Sequence, residues 1–144
     1  MTLPTKIPPN AAPSQAKTWL QFLRFLCVGV VNTLVGLGII YACKYFGGLG
    51  DFAANACGYA VGLCVSFTLN RRWTFDHRGS IAPAAIRFLV VAAMAYAMNL
   101  LTVMLCIHSF LMNSYLAQAL GVPPYTLTSF ILSRLWAFRA ESTT

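Results

Sequence analysis

An arginine, a tryptophan two residues later and a phenylalanine two further on occur twice in this chain, as Arg71, Trp73 and Phe75 and again as Arg134, Trp136 and Phe138. A guanidinium presents a planar fork of donors that matches phosphate. An aromatic ring beside it suits the headgroup zone of a bilayer, where a side chain sits half in water and half in hydrocarbon. The chemistry this pattern offers is capture of an anionic headgroup at a membrane surface. A plain interfacial anchor with a topology-setting charge uses the same residue types, but it does not need the same order twice. Asn70 adds an amide next to Arg71, where the second copy has Ser133. Arg24 and Arg87 each precede a phenylalanine. They either snorkel to the interface or complete a basic ring with Arg71 and Arg134. Arg72 has no counterpart, because Leu135 takes its place, and reads as a topology charge.

A second set of polar residues lies inside apolar stretches: Asn32, Asn55, Asn99 and Gln118, with Tyr59, Ser66 and Ser129. In hydrocarbon such groups must find partners. They stitch helices together at roughly 0.6–2 kcal/mol per contact, or they line a cleft that solvates the hydroxyls of a sugar. Several chemistries are excluded. The three acids, Asp51, Asp76 and Glu141, fall outside the apolar stretches, so no intramembrane carboxylate exists to exchange protons. No Gly-rich phosphate loop with a following Lys-Ser/Thr occurs. His77 and His108 read as loop residues without a metal or base pattern, and Cys27, Cys43, Cys57, Cys64 and Cys106 read as small hydrophobes. No catalytic residue, metal site or cofactor is expected.

The elements that must position these residues follow from hydropathy. The chain is 58% hydrophobic and 9% charged, with mean hydropathy +0.68. A soluble domain of this size needs more charge to cover its surface. Four uncharged stretches, residues 25–43, 52–70, 88–107 and 115–133, each approach the ~20 residues that cross a ~30 Å hydrocarbon core as a helix. Pro123-Pro124 is expected to bend or interrupt the last of them. The net charge of +7 falls between the stretches rather than on a helix face, which argues against nucleic acid. Lys6, Lys17, Arg24, Arg71, Arg72, Arg78, Arg87, Arg134 and Arg139 lie on one side and Lys44 alone on the other, so both termini and the central loop are expected to be cytoplasmic, with the chain in the inner membrane. Residues 1–20 read as a disordered cytoplasmic tail and 140–144 as a short one.

A constant offset of 63 residues aligns the two halves without a gap. Arg24-Phe25-Leu26 falls on Arg87-Phe88-Leu89, Gly58 on Gly121, and Ser66-Phe67 on Ser129-Phe130. Each half holds two spans, so the halves share one orientation about an axis along the membrane normal. The expected fold is all-α: a polytopic membrane protein of four transmembrane helices built as two parallel-repeat helical hairpins, residues 24–75 and 87–138.

At these residues the chain resembles the GtrA-like family, over about residues 22–138. The resemblance rests on the Arg-Phe start with Val28-Gly29 and Asn32-Thr33, on Ser66-Phe67 through Asn70-Arg71-x-Trp73-Thr74-Phe75, on Arg87-Phe88 with Asn99, and on Ala117-Gln118 through Arg134-x-Trp136-x-Phe138. It implies a four-helix membrane domain over residues 21–139 and a role in cell-surface polysaccharide or glycoconjugate synthesis. It further implies flipping of a polyprenyl-phosphate-linked sugar, such as undecaprenyl-phosphate hexose, to the outer leaflet, where a membrane glycosyltransferase uses it. On that reading Arg71 and Arg134, with Asn70, Arg24 and Arg87, meet the lipid phosphate, and the polar span residues meet the sugar. A homo-oligomer, with a dimer favoured, is expected because four helices enclose little volume. The alternative is a membrane scaffold that recruits a polyprenyl-phosphate glycosyltransferase. A small multidrug exporter lacks its required acid here.

Overall fold

The computed structural model describes residues 15–139, and the remaining parts of both expected tails lie outside the described residues. Among the described residues four α-helices form: α1 Gln15–Tyr45, α2 Asp51–Leu69, α3 Ile81–His108 and α4 Ser114–Leu132. No strand occurs among the described residues. α1 begins at Gln15, inside the segment assigned to the tail, and its 31 residues reach about 46 Å at ~1.5 Å each, well beyond the hydrocarbon core. His108 is the last residue of α3 rather than part of a loop.

Among the described residues three stretches, Gln15–Tyr45, Asp51–Thr74 and Ile81–His108, are long and apolar enough to cross a membrane. Four were expected. α4 has 19 residues, as α2 does, but Gln118, the two prolines and several hydroxyl side chains dilute its hydropathy. It runs as one helix through Pro123 and Pro124, although neither can donate a backbone hydrogen bond to the preceding turn.

α2 and α4 each continue into a single wide π turn, Asn70–Thr74 and Ser133–Ala137. The Phe75 N–H donates to the Asn70 carbonyl at 2.9 Å, and the Phe138 N–H donates to the Ser133 carbonyl at 2.8 Å. Such turns insert one residue and swing the following side chains to a new face of the helix. Here they fall on the two arginine-tryptophan segments.

α1 packs on α2, and α3 packs on α4. Between these pairs, contact gathers at the end that carries the π turns. Phe75 and Phe138 stack there at 5.2 Å, Phe130 lies 5.6 Å from Phe25 and 6.0 Å from Phe75, and Phe67 lies 5.6 Å from Phe88. Ala84, Phe88, Val91, Ala137 and Phe138 form the buried core beside them. Elsewhere the pairs stand apart. α1 buries only Val28 and is apolar around its circumference, as a helix facing lipid would be.

Candidate functional site

All four arginines of the expected ring lie at the phenylalanine end. Arg24 and Arg87 adjoin Phe25 and Phe88, while Arg71 and Arg134 sit in the π turns just before Phe75 and Phe138. All four are half-buried. Arg24 donates to the Trp73 carbonyl at 3.0 Å and lies 5.7 Å from the centre of its indole ring, which joins α1 to the first π turn. Arg71 donates through Nη2 to the Gly79 carbonyl at 2.5 Å, and its Nε is sealed from solvent without a partner. Trp73 and Trp136 are about half exposed.

The ion pairs among the described residues are Lys44–Asp51 at 2.5 Å and Arg78–Asp76 at 3.5 Å. Neither involves the four arginines. The only other acid in the sequence, Glu141, lies outside the described residues. Four half-buried arginines thus lie at one end of the bundle with no carboxylate partner among the described residues, two of them bonded to backbone carbonyls. Partly desolvated positive charge without a counter-ion favours an anionic ligand.

Asn70 organises the first π turn. It is 1% exposed, accepts from Thr74 Oγ1 at 3.0 Å, and donates to Ser66 Oγ at 3.3 Å. In the second turn Ser133 and Ala137 stand at these positions, and Ser133 Oγ is buried without a partner. His77 was read as an ordinary loop residue. It is buried, its backbone N–H donates to the Arg71 carbonyl at 2.8 Å, and its ring lies 5.8 Å from Phe138.

Above the phenylalanines a cavity of about 550 Å³ lies among the four helices. α1 contributes Asn32 and Thr33, α2 contributes Tyr59 and Ser66, the first π turn contributes Asn70, and α4 contributes Tyr125, Thr126 and Ser129. Phe25 and Phe88 form its lower wall, so the cavity and the arginine end meet through these rings. Leu26, Val30, Tyr59 and Val122 line it while remaining exposed, so it opens on the side of the bundle. The arrangement is an amphipathic pocket, with amide and hydroxyl groups set among apolar walls and a cationic end adjoining.

Of the polar residues singled out from sequence, Asn32, Tyr59, Ser66 and Ser129 line this cavity. Three others are placed elsewhere. Asn55 donates to the Asp51 carbonyl of its own helix at 2.8 Å, Gln118 is exposed, and Asn99 packs against Gly121 between α3 and α4. Asn70, expected at the phosphate, lines the cavity. Tyr125 and Thr126 were not singled out. Their sequence signal is their place just after Pro123-Pro124 in an otherwise apolar helix.

These features define a small helical membrane module with a cationic, aromatic end and a polar central pocket. Residues 24–138 match the family described as GtrA/DPMS, transmembrane domain, and the chain belongs to that family. Over 122 residues it is 31% identical to the uncharacterized membrane protein YngA of Bacillus subtilis (strain 168), a match covering 80% of this chain and 77% of that protein. Over 81 residues it is 28% identical to the bactoprenol-linked glucose translocase of Shigella flexneri, covering 56% of this chain and 65% of that protein.

Proposed function

We propose that the chain moves a polyprenyl-phosphate-linked sugar, such as undecaprenyl-phosphate hexose, across the cytoplasmic membrane for cell-surface glycoconjugate synthesis, and that it makes and breaks no covalent bond. The observation that carries this reading is the gathering of Arg24, Arg71, Arg87 and Arg134, none paired with a carboxylate among the described residues, beneath a cavity lined by amides and hydroxyls. Arg71 and Arg134 capture the phosphodiester at the inner leaflet, with Arg24, Arg87 and Asn70 supporting them and Trp73 and Trp136 at headgroup depth. Asn32, Tyr59, Ser66, Tyr125, Thr126 and Ser129 replace water around the sugar. The prenyl tail stays in lipid and trails through the side opening. Membership of the family and the name of the Shigella relative support this substrate class.

The proposal includes a topology of four spans in two parallel hairpins, both termini cytoplasmic, in the inner membrane. The recurrence of helix bounds at the 63-residue offset supports it, since α2 and α4 start at Asp51 and Ser114 and end at Leu69 and Leu132. A phosphodiester carries one negative charge, so an inside-negative potential favours outward movement by about 2.3 kcal/mol per 100 mV for a full crossing. A membrane glycosyltransferase that consumes the sugar outside pulls the transfer further, and a second copy of the chain completes the assembly. The test is leaflet transfer of a labelled polyprenyl-phospho-glucose in proteoliposomes. Transfer above protein-free vesicles is expected. No transfer, with glycosyltransferase recruitment intact, would establish the scaffold reading instead.

A further inference from the structure

A second cavity of about 230 Å³ lies between α1 and α2, lined by Gly36, Leu37, Ile40, Gly58 and Gly62. It shares Asn32, Thr33 and Tyr59 with the larger cavity, so the two adjoin along the same helix pair. From Phe25 to Ile40 the combined lining follows α1 for about 22 Å at ~1.5 Å per residue, most of a ~30 Å hydrocarbon core.

The other helix pair is filled at the corresponding places. The 63-residue offset carries Gly36 to Asn99, Gly62 to Tyr125 and Asn32 to Ala95. Asn99 occupies the space beside Gly121, and Ala95 is fully buried. Gly36 places no side chain there, with the Gly58 carbonyl 3.6 Å from where its Cβ would stand, while Gly58 itself is closed off by Ile40 and the Gly36 carbonyl, so the groove runs over the glycine seam rather than through it. Asn32 sits where the two cavities meet. Its Oδ1 is sealed without a hydrogen-bond partner, 2.8 Å from the point where a Cβ on Gly62 would lie. A buried amide oxygen without a donor is costly, and a sugar hydroxyl supplies the donor it lacks.

We propose that the α1–α2 groove is the track along which the headgroup crosses, with Asn32 reading a hydroxyl at its midpoint and the α3–α4 pair serving as a packed wall. The two halves of the chain are then unequal in function, although α2 and α4 share bounds at that offset. This proposal rests on the lipid-carrier reading and adds the route.

Gly36→Leu and Gly38→Leu make a matched pair on one helix. The first fills the groove, and the second points to open space, because nothing lies within 4 Å of a Cβ on Gly38. In proteoliposomes with labelled polyprenyl-phospho-glucose, Gly38→Leu should transfer at the native rate. Gly36→Leu and Asn32→Leu should be slower by about tenfold or more, with thermal stability and binding of the lipid at the arginine end retained. Gly36→Ala, which the 3.6 Å contact admits, should fold and show a smaller slowing. A native transfer rate in whichever Gly36 variants fold overturns the track and leaves the carrier reading standing. Absence of transfer by the native protein overturns both.

Discussion

Phe75 and Phe138, equivalent residues of the two helix pairs, stack face to face at 5.2 Å with 20° between their planes. This contact joins the ends of both π turns and sits at the centre of the ring cluster that holds the pairs together. The pairs part above it and enclose the cavity.

Removing one of these rings should loosen the bundle. Phe138 is 4% exposed, so Phe138→Ala should cost about 3 kcal/mol, as other buried Phe truncations do. Phe110→Ala, at a ring 72% exposed, should cost little. Unfolding of the detergent-solubilised protein measures both, and equal midpoints would remove the cluster from its structural role.

The two π turns should respond differently to loss of their first side chain. Asn70→Ala takes partners from Thr74 and Ser66 and should cost about 1–3 kcal/mol. Ser133→Ala deletes a buried hydroxyl that has no partner, so it should be neutral or slightly stabilising, within about 0.5 kcal/mol. A reversed order in the same unfolding assay would contradict this description of the turns.

Leu111 holds φ at 51° in the turn between α3 and α4, a conformation that strains a residue with a Cβ. It is exposed, so little packing is at stake. Leu111→Gly should raise stability by about 1 kcal/mol. A fall in the melting midpoint would place an unrecognised packing role on that side chain.

The proposed orientation puts Lys44 outside the cell and Arg78 inside. In a chain freed of its five native cysteines, Lys44→Cys should react with a membrane-impermeant maleimide on intact spheroplasts. Arg78→Cys should react only after lysis. Labelling of both from one side would break the topology.

Much of this architecture was legible from residue types. Uncharged stretches located the helices, because a hydrocarbon core excludes charge and unpaired backbone. The repeated arginine-tryptophan-phenylalanine order located the basic end. What was not legible depends on rotation about the helix axis. Asn32 and Asn99 look alike in an apolar run, and each packs on a glycine of the neighbouring helix, yet Asn32 also lines the cavity. A helix apolar on every face has no moment to say which way its lone amide points. The π turns were also hidden, because five residues cannot distinguish a wide turn from an ordinary one. α4 was expected to match the other spans, but its prolines and hydroxyls, which dilute its hydropathy, include the residues that line the pocket.

The arginines should separate capture from simple topology. Arg71→Gln removes a charged fork and should weaken binding of a polyprenyl monophosphate by about ten- to a hundredfold. Arg72→Gln, at an exposed position beside it, should leave binding within about twofold of native. Equal losses in both would mean that only net charge matters.

The most direct measurement is a structure of the chain in a lipid nanodisc with polyprenyl-phospho-glucose added. The phosphate should lie within hydrogen-bond reach of Arg71 or Arg134, and the sugar should rest in the cavity beside Asn32. A headgroup resolved on the outer face of the helices, with both guanidiniums turned to water and the cavity occupied by side chains or acyl chains, would contradict the account.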